Sequence, residues 1–225
     1  MVLHDVLGVT EHAEDVCRRL ARDGWLAVSP YLYYKRGGPA FDADDLSVAR
    51  REMERLRADD LAVDLNGAVS YLRGKGLTES GPTGGGLTGG GLTGGGVTGG
   101  GVSRVAVVGF SMGGYLATWA AAHLDVTAAV AVSPSGAGEA PWDGLPPLEK
   151  LLAGRHAPWL GLLGERDEQT IATVPVDSVV TVPGAAHGFY RAGLAPALWQ
   201  RIAAFLDQAR IEVPAQRCSP GGSHP

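Results

Sequence analysis

Three residue types, in a fixed chain order, give this sequence its most reactive arrangement. Gly109-Phe110-Ser111-Met112-Gly113 fits the pattern G-x-S-x-G. An apolar β-branched run, Val105–Val108, leads into it, and a stretch of small residues suited to a helix (113–123) leads out. That is the strand–turn–helix setting of a nucleophile elbow, which forces the serine outward at the carboxyl edge of a sheet. A serine hydroxyl attacks well only if a base removes its proton, so the pattern calls for an acid and then a histidine further on. Asp167 follows the apolar run Trp159–Leu163, with Glu165 and Glu168 as substitutes, and His187 follows Val179–Val182. Asp167 would fix the tautomer of His187, and His187 would serve as general base and then general acid. His12 and His123 fall on predicted helices, His156 precedes a strand, and His224 is near the C-terminus. An oxyanion hole needs two backbone N–H groups. Met112, next to the nucleophile, supplies one, and Val6, in the early loop Leu3–Gly8, is the best choice for the other.

The elements that must hold these residues alternate along the chain. Residues 11–22 read as an amphipathic helix with Thr10 as its N-cap, and Trp25–Ser29 as a short strand stopped by Pro30. Residues 42–73 read as a charged helix ending near Gly74, and Val126–Val132 as a strand. A last helix spans about 195–209, with Leu198, Ile202 and Phe205 on one face. Strands alternating with helices imply an α/β fold with a mostly parallel sheet flanked by helices. The expected organisation is a single domain over 1–212 and a polar, disordered tail over 213–225. Within the domain, a flexible inserted loop at 81–101 carries thirteen of the 34 glycines in apolar-Thr-Gly-Gly-Gly repeats.

Composition excludes several functions. The 225 residues carry a net charge of −5, which disfavours nucleic-acid binding. No apolar run reaches the roughly 18–20 residues of a membrane helix. The first residues lack the features of a secretory signal, and two cysteines, Cys17 and Cys218, cannot build a disulfide framework. A cytoplasmic monomer or weak homodimer is expected. No metal-ligand spacing and no dinucleotide fingerprint is present, since Gly109–Gly114 reads G-x-x-x-G-G, so neither metal nor cofactor is expected.

From His4-Asp5-Val6-Leu7-Gly8-Val9 to the final helix, the chain resembles the dienelactone hydrolases (carboxymethylenebutenolidases) of the α/β-hydrolase superfamily. GFSMGG, GERD and GAAHGFYR are similar to the family's nucleophile, acid and histidine segments, and the opening residues to its acid–hydrophobic–glycine loop. The resemblance implies an α/β-hydrolase fold that acts on a small-molecule ester or lactone through an acyl-serine intermediate. It implies that Asp5 is an acid near the nucleophile, usually Glu in the family. It further implies that Tyr33 lines the pocket and that Arg191 binds a substrate carboxylate. Members acting on dienelactone use cysteine, so Ser111 points to a broader ester or lactone activity. The family's strand pair ahead of the oxyanion loop has no counterpart before Met1-Val2-Leu3, so those strands are expected to be missing or truncated. Alternatives are a thioesterase or acyltransferase with the same triad, or a non-catalytic hydrolase-fold binding protein.

Overall fold

The computed structural model describes residues 1–36, 38–77, 104–169 and 178–211. The glycine-rich segment 81–101 and the tail 213–225, with Cys218 and His224, lie outside the described residues. Among the described residues five parallel strands lie side by side in chain order: β1 (Val2–Leu3), β2 (Ala106–Phe110), β3 (Ala128–Val132), β4 (Trp159–Gly164) and β5 (Val179–Val182). Every residue of β2, β3 and β4 is buried, because helices cover both faces. Alternate strand residues therefore feed two separate cores. On one face Val108, Phe110, Val130, Val132 and Leu162 pack against α1 (Glu11–Arg22) and α6 (Pro196–Ile211) through Val16, Leu20, Ile202 and Leu206. On the other, Leu3, Val107, Ala129 and Ala131 meet α3 (Ala58–Leu77), α4 (Met112–His123) and α5 (Leu148–Gly154). No helix among the described residues is long and apolar enough to cross a membrane.

Helix α1 spans the expected residues, and Thr10 stands at its N-cap in extended conformation, although its hydroxyl makes no capping bond. Two expectations need correction. Trp25–Ser29 is not a strand. Val28 O accepts the Val2 N–H at 2.7 Å, so the segment runs beside β1, but β1 has two residues to offer and a ladder cannot build on them. The single helix expected over 42–73 is broken in two, α2 (Leu46–Glu54) and α3, at Arg55-Leu56-Arg57. The break involves neither glycine nor proline. The Arg55 and Leu56 N–H groups bond three residues back, to Glu52 O and Met53 O, which tightens and ends the turn while Leu56 packs on the core. Helix α3 then runs through Gly74, where an added Cβ would meet nothing within 4 Å.

Candidate active site

Ser111 sits between β2 and α4 at φ 51°, ψ −113°, in the left-handed half of backbone space that a side chain rarely occupies. Its N–H is tied to Val132 O at 3.0 Å, and its carbonyl accepts the N–H groups of Tyr115 and Ser135, both at 3.1 Å. The flanking glycines are required by close approach, not by their own dihedrals. A Cβ on Gly109 would overlap the Gly113 carbonyl, and one on Gly113 would overlap the carbonyls of Leu3 and His4. The elbow is thus pressed onto β1, which places the loop after β1 beside the serine.

The acid and the histidine arrive from the neighbouring strand ends. Ser111 Oγ lies 2.9 Å from His187 Nε2, and His187 Nδ1 lies 3.1 and 3.0 Å from the two carboxylate oxygens of Asp167. The two loops are laced together. Glu165 N–H donates to Val182 O at 3.0 Å and Arg166 N–H to Ala185 O at 2.8 Å, so the turn carrying Asp167 and the loop carrying His187 cannot move independently. Asp167 is the acid that meets His187; Glu165 instead accepts the Gly184 N–H at 2.7 Å, and Glu168 is exposed. Burial alone would push the Asp167 carboxyl up. Hydrogen bonds from His187, Ser133 and the Gln169 N–H outweigh it and hold the carboxyl below its usual value.

Val6 and Met112 both border the serine's surroundings, Val6 on the loop after β1 and Met112 at the first position of α4. Neither N–H donates a hydrogen bond within the described residues. Met112 N–H is among the unpaired donors that open any helix. The remaining residues singled out from sequence fall differently. Asp5 is 6% exposed and fully engaged: Oδ1 accepts the Leu7 N–H at 2.9 Å, and Oδ2 accepts the Tyr190 hydroxyl at 3.0 Å and Arg191 Nε at 2.9 Å. Arg191 keeps 39% of its side chain exposed beyond that ion pair. Tyr33 does not line an open pocket. It is fully buried, and its hydroxyl donates to Val6 O at 3.0 Å, so it braces the loop after β1 from behind. Leu32 and Tyr33 both turn into the core.

Two residues that sequence reasoning missed stand in this network. Tyr190, inside the quoted segment GAAHGFYR, donates to Asp5 and also reaches Ser111, and burial with the Asp5 charge pushes its phenol well above the usual range, so it stays a donor. Ser133 lies at the end of β3 and bonds to Asp167 at 2.7 Å. Its signal was positional, since it ends the strand lying between those of the nucleophile and the acid. No group of three or more His, Cys, Asp or Glu that could hold a metal occurs among the described residues.

A parallel sheet covered on both faces, with a strained serine after β2, an aspartate after β4 and a histidine after β5, is the α/β-hydrolase fold. Within that class the chain is similar to the dienelactone hydrolases. The model of the dienelactone hydrolase family matches residues 1–84, ending before Ser111. Proteins provisionally named carboxymethylenebutenolidases from Escherichia coli and Yersinia pestis are 27% and 28% identical, with 92% of this chain aligned to 76% and 77% of theirs. A crystal structure provisionally titled a dienelactone hydrolase, from Klebsiella pneumoniae, superposes with a TM-score of 0.65 at 28% identity, over 92% of this chain and 85% of that one. A metagenome-derived lipolytic enzyme shares the fold at 15% identity, with a TM-score of 0.58 and 92% of each chain covered. These likenesses support a hydrolase function.

Proposed function

We propose that the protein is a serine hydrolase that cleaves small carboxylic esters or lactones through an acyl-Ser111 intermediate. The observation that carries this reading is the chain of contacts from Ser111 Oγ to His187 Nε2 at 2.9 Å and from His187 Nδ1 to Asp167 at 3.0 Å. With the Nδ1 proton held toward the carboxylate, Nε2 presents a lone pair to the hydroxyl. Ser111 Oγ attacks the acyl carbon as its proton passes to His187 Nε2, and Asp167 stabilises the imidazolium. The oxygen of the tetrahedral intermediate takes up hydrogen bonds from the Val6 and Met112 N–H groups. Collapse breaks the acyl–oxygen bond, and His187 returns its proton to the leaving alkoxide, which in a lactone stays tethered to the acyl group. Water then attacks the acyl-serine, His187 accepts its proton and passes it to Ser111 Oγ, and the carboxylic acid departs.

Arg191 supports a preference within this class. Its guanidinium is half-exposed, one carboxylate and one phenol away from the serine, so a substrate bearing a carboxylate can compete with Asp5 for it. Turnover of p-nitrophenyl acetate by wild type and Ser111→Ala tests the reading. The variant should lose on the order of 10⁴-fold or more in kcat. A folded variant that keeps wild-type turnover sinks it.

A further inference from the structure

We infer that Ser133 is a positioning residue of the triad, clamping Asp167, His187 and the backbone at Gly188 into one unit; this rests on the serine-hydrolase reading above. Ser133 is completely buried, at φ 47°, and with Ser111 it is one of two non-glycine residues at positive φ among the described residues. Nothing about a Ser-Pro-Ser-Gly turn demands a serine at its first position, and glycine would occupy that dihedral without strain. The hydroxyl explains the choice. It donates to Asp167 Oδ2 at 2.7 Å, lies 3.2 Å from His187 Nδ1, and accepts the Gly188 N–H at 3.2 Å. One donor and two acceptor positions are all that a hydroxyl has, and each is used.

Each contact acts on a different freedom of the triad. The donated bond fixes the plane of the Asp167 carboxylate, which the Gln169 N–H holds from its other oxygen at 3.0 Å. The accepted N–H fixes the peptide after His187, and with it the backbone from which the imidazole projects. The Nδ1 proton, shared between Asp167 and Ser133, keeps Nε2 turned toward Ser111. The backbone of Ser133 is itself anchored, its N–H on Leu162 O at 2.8 Å, so the clamp is referred to the central sheet. Ser133 is completely buried and presents no surface to a substrate. Its removal should therefore slow the chemical step and leave binding alone.

The test compares Ser133→Ala and Ser133→Gly with wild type, in ester turnover and in labelling of Ser111 by a fluorophosphonate probe followed by intact mass. Glycine tolerates the left-handed dihedral and so keeps the fold if alanine does not. The end point of labelling reports the fraction of properly assembled sites, and its rate reports how well His187 activates the serine. The expected result is a full end point, a labelling rate and kcat lowered together by about ten- to a hundredfold, and KM within about twofold of wild type. A wild-type rate in the glycine variant overturns the inference. So does a reduced end point whose labelled fraction reacts at the wild-type rate, since that marks a purely structural role. His187→Ala serves as the reference arm: rapid labelling there would sink the triad itself, whereas its loss beside unaffected Ser133 variants would sink only the clamp.

Discussion

One oxygen of the Asp5 carboxylate, Oδ2, is shared by the Tyr190 phenol and the Arg191 guanidinium. A substrate carboxylate that engages Arg191 must draw it partly off Asp5, and the charge-assisted bond it forms sets the preference. Arg191→Met should raise KM for an ester bearing a free carboxylate by about tenfold, and change KM for a neutral ester little. Equal effects on both esters would show that Arg191 serves only to hold Asp5. At this scale the sequence was informative wherever a residue type and its place in a pattern coincide: Ser111 within G-x-S-x-G, Asp167 and His187 each just past an apolar run. It was uninformative for Tyr33, whose direction depends on how residues 32–33 enter the core, and for Ser133, whose hydroxyl has meaning only once the loops after β4 and β5 meet it.

Between elements, one junction with no slack is where α4 begins against β1. The Gly113 position has no room for a side chain, because the Leu3 and His4 carbonyls occupy it. Both obstacles are backbone, and neither can rotate away. Gly113→Ala should cost on the order of 3 kcal/mol, lowering Tm by about 10 °C for a domain of this size. It should also slow turnover by shifting the loop that carries Val6. Circular dichroism melts and ester assays on the same samples check this, and an unchanged Tm would show that the junction has slack. The strands and helices with a clear period were legible, α1 and β5 to the residue. The misread segments are those that tertiary partners decide. Trp25–Ser29 has strand composition, but its neighbour β1 is too short to complete a ladder, and the break after Glu54 follows from Leu56 seeking the core.

At the scale of the whole molecule, two imidazoles among the described residues that the proposed chemistry does not use are withdrawn from water, His4 fully and His12 in part. His4 is 1% exposed, with Nδ1 against Asp5 O and Nε2 unpartnered; His12 lies against the Phe110 and Tyr190 rings, its Nε2 also unpartnered. Burial holds both below the ordinary histidine value of 6.5, outweighing the Asp5 backbone bond and charge at His4 and the Asp5 and Asp15 charges at His12, where Arg191 adds to the lowering. Each takes up a proton less readily in the folded protein than in the unfolded chain, so stability should fall as pH drops from about 6.5. Asp167 acts at lower pH in the same direction, its contribution being lost as pH falls below about 3.8. Melts between pH 7.5 and 5 should show Tm declining, and His12→Phe should flatten the decline. A flat wild-type profile would contradict this account of the two histidines.

The central claim is that Ser111 is an activated nucleophile, and covalent labelling asks that directly. Wild type and His187→Ala would each be treated with a fluorophosphonate probe and analysed by intact mass and peptide mapping. The account predicts one adduct per chain, on Ser111, formed rapidly in wild type and nearly abolished in His187→Ala. A folded wild-type protein that takes up no adduct, or one labelled equally fast without His187, would contradict it.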